Sequence, residues 1–143
     1  TKKEQVDKFY KSSLKKFKII DILINNAGIY GPKGYSENVN WNKWKKAIEV
    51  NLFGSIMITR NIIKHFKKNN NGKIIQLAGG GVAGPLPMMS AYGTSKIAVV
   101  RFMHSLSEEV KCPLKVFPDI SFHYMSDQER EQKKLKFLNS IDQ

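Results

Sequence analysis

The chain has 143 residues, 41% of them hydrophobic, a length and composition that predict one globular domain with a buried core. No apolar run approaches the roughly 20 residues of a membrane-spanning helix, and residues 1–18 lack the apolar core of a signal peptide. The single cysteine, Cys112, excludes an intrachain disulfide and favours a reducing compartment, the cytoplasm.

The 24 Lys and Arg residues against 12 Asp and Glu residues give a net charge of +12, which raises the question of a nucleic-acid partner. Most of the lysines fall into two groups that occupy the polar positions of helical patterns. The groups are Lys2, Lys3, Lys8, Lys11, Lys15, Lys16 and Lys18, then Lys43, Lys45, Lys46, Lys64, Lys67, Lys68 and Lys73. This placement favours solvated helix faces, with polyanion binding as a minor alternative.

The first half of the chain predicts a helix, a strand and a second helix. Apolar residues at helical spacing predict an amphipathic helix over about residues 3–17, and because Thr1 already reads as part of it, we expect a piece of a longer protein. The apolar run Ile19–Asn25 predicts a parallel strand buried on both faces, followed by a Gly/Pro-rich loop over 28–40. A long helix ending at Asn69–Gly72 follows. Its stripe comprises Trp44, Ile48, Asn51, Leu52, Ser55, Thr59, Ile62 and Phe66.

The second half continues this alternation. Lys73–Ala78 predicts a second buried strand, and Ser90 is suited to cap a third helix that runs to about Val110. Leu114–Phe117 predicts a third strand that Pro118 ends. The order predicts an α/β fold, a parallel sheet with right-handed crossovers and helices on both faces, over 1–118. Residues 119–143 are charged and weakly amphipathic, as in a surface helix or a tail.

The glycine run Gly79-x-Gly81-x-x-Gly84 has the written form of a dinucleotide-binding fingerprint. A phosphate-binding turn opens directly into a helix, whereas Pro85 and Pro87 follow here. The acidic residue that the fingerprint requires about 20 positions later is also missing. We therefore interpret the run as a loop packed close to a ligand or to backbone, and the pyrophosphate interpretation stays a minor alternative.

Tyr92 and Lys96 lie four residues apart at the start of a predicted helix and so share a face. Because that face continues through Val99, Val100 and Met103, we expect Lys96 to be partly buried. An ammonium group beside a phenol favours the phenolate, and such a tyrosine can act as a general acid or base. Tyr and Lys four residues apart more often have a structural role than a catalytic one, so the spacing of Tyr92 and Lys96 alone leaves both roles open.

Two glycine-bearing loops, Asn25–Gly28 and Ala78–Gly84, follow predicted strands. Ligands of open parallel sheets bind outside the carboxyl ends of the strands, so a site is expected at this edge. Asn51 lies on the apolar stripe of the long helix, where a polar amide needs partners or a water. A capping or core role is the alternative for Asn51.

Taken together, these residues resemble the short-chain dehydrogenase/reductase family. The matching elements follow one another in the family's order and cover about residues 1–112. They are NNAG at Asn25–Gly28, VNLFG at Val50–Gly54, the strand Lys73–Ala78, and SAYGTSKIAVVRF at Ser90–Phe102. The resemblance implies a Rossmann-like, doubly wound parallel sheet that is incomplete here, because the first βαβ unit with the TGxxxGxG loop would precede Thr1.

The resemblance also implies a function, namely hydride transfer between NAD or NADP and an alcohol or carbonyl substrate, and no metal site. Tyr92 would be the catalytic acid/base, Lys96 would lower its pKa and contact the nicotinamide ribose, and Asn51 would hold a proton-relay water. The cofactor would lie along Asn26, Ala27 and Gly28. A homo-oligomer through the two long helices is implied as well, which the apolar residues Ile56, Ile63 and Phe102 fit.

Two departures from the family pattern leave a second hypothesis open. The family usually places a carbonyl-polarising Ser thirteen residues before the Tyr, and that position is Gly79 here. The family normally follows the Tyr-bearing helix with a strand ending in Pro-Gly, whereas Pro118 is followed by Asp119. The alternative is therefore a non-catalytic scaffold that binds a nucleotide or a protein partner.

Overall fold

The structure, a computed structural model, describes residues 2–110 and 114–117, together with the isolated residues Gln132, Leu135 and Asn139. Its elements are α1 Lys3–Phe17, β1 Ile22–Asn25, α2 Trp41–Ile48, α3 Ser55–Asn69, β2 Gly72–Gln76, α4 Ser90–Glu109 and β3 Leu114–Phe117. The predicted roles of Cys112 and Pro118, and the predicted helix or tail over 119–143, lie outside the described residues apart from those three positions. Nothing in the described part of the chain combines the length and apolarity that a membrane crossing needs.

The three strands form a parallel sheet in the order β1-β2-β3, as the alternation of elements predicts. Leu23 pairs with Ile74, which in turn pairs with Val116. Strand β1 is shorter than the apolar run that predicted it, because the chain at Ile20 turns towards α3 and donates its N–H to Nε2 of His65 at 3.2 Å.

The hydrophobic core lies on one face of this sheet. It is built from buried and half-buried side chains of α1, α3, α4 and the strands, among them Tyr10, Phe66, Ile74 and Met103. On the opposite face, Ile22 and Ile24 of β1 are 44% and 58% exposed.

The predicted α/β fold with a parallel sheet is confirmed, whereas β1 is not buried on both faces: Ile22 and Ile24 are exposed, although Ile75, which pairs with Ile24, is buried. Three successive parallel strands joined by right-handed crossovers send their helices to the same side of the sheet. Helices reach the other side only where the strand order reverses, and no reversal occurs between β1 and β3.

The predicted long helix is continuous, but it changes type in the middle. The segment Glu49–Gly54, between α2 and α3, is π-helical, and the residues flanking it keep right-handed helical dihedrals. The helix ends where Asn70 adopts a left-handed conformation with φ of 53°, which confirms the predicted stop. Directly after it, a β-carbon at Gly72 would overlap the buried ring of Phe66, so this strand start has no room for a side chain.

Ser90 does not cap α4, contrary to the sequence-based prediction. Met89 occupies the N-cap position without a side-chain cap, and Ser90 is the first helical residue. The Ser90 hydroxyl instead accepts a hydrogen bond from Nε1 of Trp44 at 3.1 Å. A tertiary contact between α2 and α4 thus replaces the local cap.

The lysines of the two groups are exposed, as predicted for solvated faces, apart from the half-buried Lys73. Ile63 and Phe102, expected at an oligomer interface, are half-buried and pack against the core cluster. Strongly exposed apolar residues on the two long helices include Trp41, Phe53 and Ile97.

Candidate active site

Asn51 lies in the π-helical segment and is almost completely buried, with 1% of its surface exposed. Its Oδ1 accepts a hydrogen bond from the Ile29 N–H at 2.8 Å, and its Nδ2 donates to the Ile29 carbonyl at 2.8 Å. Such π-helical turns are frequent at functional sites. The side chain therefore fixes the loop that leaves β1, which answers the question of where a buried amide finds partners on an apolar stripe.

Ser95 connects Asn51 to the helix that carries Tyr92. The Asn51 Nδ2 also donates to Oγ of Ser95 at 2.8 Å, and the Ser95 hydroxyl donates to the backbone carbonyl of Tyr92 at 2.8 Å. Ser95 is fully buried. Sequence reasoning missed this residue, and its position directly before Lys96 was the available signal.

Lys96 is 5% exposed, which confirms the expected burial. Its ammonium group donates to the Leu77 carbonyl at 3.1 Å and lies 5.6 Å from the centre of the Tyr92 ring. Burial lowers the pKa of Lys96 from its usual value of 10.5, because desolvation disfavours the charged form. The contact with Leu77 uses one of the three donors of the ammonium group.

The half-buried ring of Tyr92 reaches the position that the family usually gives to a serine. A β-carbon placed on Gly79 would overlap the Tyr92 hydroxyl, so that hydroxyl fills the space a side chain at position 79 would need. Tyr92 can therefore occupy this position only because residue 79 has no side chain.

The glycine run folds as a turn and does not open into a helix, since α4 begins only at Ser90. Gly81 has φ of 92°, and a β-carbon there would lie 2.7 Å from the Cα of Gly93. The loop therefore packs closely on the first turn of α4, beside Tyr92. This geometry agrees with a loop packed against backbone rather than with a phosphate-binding turn.

The predicted cofactor residues Asn26, Ala27 and Gly28 are exposed and follow β1 at the carboxyl edge of the sheet. A β-carbon at Gly28 would lie 3.4 Å from Oδ1 of Asn51 and 3.6 Å from Nζ of Lys96. Gly28 is therefore the point at which the loop touches the site. The structure brings Asn51, Lys96 and Gly28 into one cluster with Tyr92.

Tyr30 also belongs to this cluster and was not singled out by sequence reasoning. Its ring centre lies 5.0 Å from that of Tyr92, with the two planes tilted by 42°. Tyr30 comes two residues after Gly28 in the Gly/Pro-rich loop, a region whose composition predicts a loop but not a contact.

Fold and site together define an α/β protein of the dinucleotide-binding class, with a Tyr–Lys pair at the carboxyl edge of a parallel sheet. The sequence profile of the short chain dehydrogenase family matches residues 1–114, and the chain belongs to this family, whose members are oxidoreductases.

Named relatives agree with this assignment. The chain is 31% identical over 113 residues to 11-beta-hydroxysteroid dehydrogenase-like 3 of Arabidopsis thaliana, a match that covers 79% of this chain and 36% of that protein. The structure of 3-ketoacyl-(acyl-carrier-protein) reductase from Brucella melitensis complexed with NADH is 33% identical, with a TM-score of 0.72. That match covers 76% of this chain and 47% of the other. ElxO with NADP bound is 25% identical, with a TM-score of 0.75 over 92% of this chain and 55% of that one. The chain spans between 31% and 36% of the length of the first three curated relatives.

Proposed function

We propose that this chain carries the catalytic site of an NAD- or NADP-dependent oxidoreductase that acts on an alcohol or carbonyl substrate. The observation that carries the proposal is the position of Lys96, a buried ammonium group in contact with both Tyr92 and the loop at Gly28. A buried, perturbed cation at the ligand-binding edge of a parallel sheet is typical of a functional site.

Tyr92 exchanges the proton of the reacting oxygen. The bound nicotinamide supplies the hydride in one direction and accepts it in the other. When a carbonyl is reduced, its oxygen gains negative charge, and the Tyr92 hydroxyl gives it a proton; when an alcohol is oxidised, the phenolate takes that proton back. The ammonium group of Lys96 stabilises the phenolate that remains after proton donation.

Asn51 and Ser95 hold this arrangement in place. Their hydrogen bonds connect the Ile29 backbone, the π-helical turn and the Tyr92 backbone. The water-holding role of Asn51 stays part of the proposal. Both side-chain donors of Asn51 are taken by Ile29 and Ser95, so a water would have to be held through its oxygen acceptors.

The residues at the strand edge fit a nicotinamide cofactor. Asn26 and Ala27 line a largely apolar cavity of about 400 Å³ between α1, β1 and the long helix, and the lining of this cavity does not include Tyr92 or Lys96. The exposed Gly28 lies beside Asn51 and Lys96, so a ligand along this loop would come close to both side chains. We propose that Asn26, Ala27 and Gly28 run along the cofactor and that Lys96 donates to its ribose. The NADH and NADP complexes of the structural relatives support this placement.

Because position 79 is a glycine, the serine hydroxyl that usually polarises the substrate carbonyl is missing, and another hydrogen-bond donor is needed. Losing one such donor typically reduces transition-state stabilisation by about 3–4 kcal/mol. We propose that backbone N–H groups of Gly79–Gly81 supply the replacement, since this loop is packed against Tyr92 and the start of α4.

The same position favours a second candidate function, a non-catalytic scaffold that binds a nucleotide or a partner protein. Gly79 offers no hydroxyl, and the Tyr92 hydroxyl takes up the space beside it. In this candidate the cofactor would bind without hydride transfer.

Association with a second copy of the chain and a cytoplasmic location complete the proposal. Phe53, Ile97 and Trp41 are exposed apolar residues of the two long helices and are available for such a contact. The location rests on the single cysteine, Cys112.

Nucleotide binding and hydride transfer, measured for the unmodified protein and for a Lys96 variant, test the two candidates. We expect Lys96→Met to weaken NADH and NADPH binding, measured by nucleotide fluorescence, and to remove oxidation of the bound cofactor across a panel of aldehydes and ketones. The exposed Lys64→Met is the matched control and should change neither quantity. Nucleotide binding by the unmodified protein without hydride transfer to any carbonyl would favour the scaffold. The absence of nucleotide binding would contradict the oxidoreductase and leave only a scaffold that binds a partner protein.

A further inference from the structure

Tyr30 and Lys33 form an exposed pair next to the candidate active site. The Tyr30 side chain is 57% exposed although one side of its ring lies against Tyr92. The ammonium group of Lys33 lies 5.5 Å from the centre of the Tyr30 ring. A cation, an aromatic surface and the Tyr92 ring therefore follow one another along the edge of the site.

The loop that carries this pair is fixed at three points. Ile29 is held by two hydrogen bonds from the Asn51 side chain. Gly31, with φ of 74°, packs so closely between α2 and α4 that a β-carbon would lie 2.9 Å from that of Ala47. The Gly34 N–H donates to the Met88 carbonyl at 2.8 Å. Tyr30 and Lys33 lie between these anchors, so their backbone is fixed while their side chains face solvent.

Lys33 differs from Lys16 and Lys45, two other exposed lysines beside aromatic rings, because its ring partner Tyr30 also contacts Tyr92. Within residues 2–110 and 114–117, the ion pairs are Lys3–Asp7 and Lys46–Glu49, so Lys33 has no carboxylate partner in this part of the chain. It is a cation held beside an aromatic ring at the mouth of a site, with its charge available to a ligand.

We propose that Tyr30 and Lys33 select the substrate, and that the preferred substrates carry an anionic group at the end remote from the reacting carbon. The Tyr30 ring provides an apolar surface for the middle of the molecule, and the Lys33 ammonium pairs with a terminal carboxylate. The placement of the reacting carbon at Tyr92 depends on the proposed function. The preference for an anionic group depends only on the loop that carries Tyr30 and Lys33.

Two aldehydes that differ only in charge test this proposal, 4-formylbenzoate and its methyl ester. Their binding to the protein is measured by calorimetry without cofactor, and their reduction is followed separately with NADH and NADPH. We expect the acid to bind more tightly than the ester. Lys33→Gln should weaken the acid about three- to fivefold, as for an exposed ion pair, and leave the ester unchanged. Tyr30→Leu should weaken both.

The control variants remove a similar lysine–aromatic pair and a similar exposed tyrosine at other positions. Lys45 lies 6.0 Å from the ring centre of Trp41, so Lys45→Gln removes a similar cation–aromatic pair, and Tyr35→Leu removes an exposed tyrosine of the same loop. The proposal would be overturned if acid and ester bound equally well, or if neither aldehyde bound. It would also be overturned if Lys33→Gln had no effect on binding of the acid, or if Lys45→Gln weakened it equally. A charge preference in binding without any reduction would instead count against the proposed function alone.

Discussion

Lys96 carries its ammonium group on a side chain that is almost completely buried, and this burial determines how its contribution to stability varies with pH. Burial lowers the pKa of Lys96 below 10.5 in the folded chain. Between that lowered pKa and 10.5, the unfolded chain binds a proton that the folded chain has released. The contribution of Lys96 to the free energy of unfolding therefore rises with pH across this interval, and the burial of the charge is most unfavourable below it.

Removing the charge gives a prediction whose sign follows from this argument. Relative to Lys96→Met, the unmodified protein should gain stability as the pH rises towards 10.5, measured by urea unfolding at several pH values. The exposed Lys64→Met should not reproduce this trend. A difference between protein and variant that stays constant, or that moves the other way with pH, would contradict the assigned cause.

Gly79 gives a second prediction at the scale of single residues. Because a β-carbon at position 79 would overlap the Tyr92 hydroxyl, Gly79→Ala and Gly79→Ser should both displace the Tyr92 ring. We expect each variant to lower kcat at least about tenfold, since small displacements of a reacting group reduce rates strongly. Gly84→Ala is the control, because its β-carbon would meet no atom within 4 Å. A rise in kcat with Gly79→Ser would show instead that the position lacks only a hydroxyl.

At the scale of elements, the π-helical turn connects the loop after β1 to α4 through one amide side chain. Asn51→Leu removes the hydrogen bonds to Ile29 and Ser95 while keeping a similar volume. We expect the free energy of unfolding to fall by about 1–3 kcal/mol, because buried partners lose their hydrogen bonds.

Hydrogen exchange identifies where this loss acts. The Ile29 amide should exchange faster in Asn51→Leu. The control is Asn61→Leu on α3, which removes a hydrogen bond from Asn61 to Asp7 and should leave the exchange of Ile29 unchanged. Unaltered protection of Ile29 in Asn51→Leu would mean that the loop is held by other contacts.

The elements also show which features sequence patterns can predict. The positions of the helices and strands follow from apolar spacing, and the proximity of Tyr92 and Lys96 follows from a local separation of four residues. The contacts of Asn51 with Ser95 and of Tyr30 with Tyr92 join distant parts of the chain and depend on packing. Ser90 illustrates the same limit, because Trp44 engages the hydroxyl that local rules assign to a cap.

At the scale of the whole molecule, the net charge is +12, and the lysines of the two groups described above are exposed apart from Lys73. Because this arrangement is typical of a solvated surface, we expect weak binding to double-stranded DNA that disappears at physiological salt. Fluorescence anisotropy with a labelled duplex, measured over a range of salt concentrations, checks this expectation. Tight binding with a steep salt dependence would instead support a polyanion-binding role.

The one-sided sheet is the other feature of the whole molecule. Within the described residues, the core cluster lies on one face, whereas on the other face Ile22 and Ile24 are exposed and Ile75 is buried. The candidate site lies at the carboxyl edge, where Gly28, Tyr92 and Lys96 meet. The residues of this candidate site come from the loop after β1, the long helix and α4.

The central claim is that Tyr92 exchanges the proton while the other residues of the site hold it in place. The most direct measurement is the rate of hydride transfer in a single turnover for Tyr92→Phe, alongside the affinity for NADH or NADPH. The exposed Tyr35→Phe serves as the control. We predict that Tyr92→Phe lowers the rate by about 10²–10⁴-fold, as expected for loss of a general acid, with cofactor affinity nearly unchanged. A Tyr92→Phe variant that transfers hydride at the rate of the unmodified protein would contradict the account.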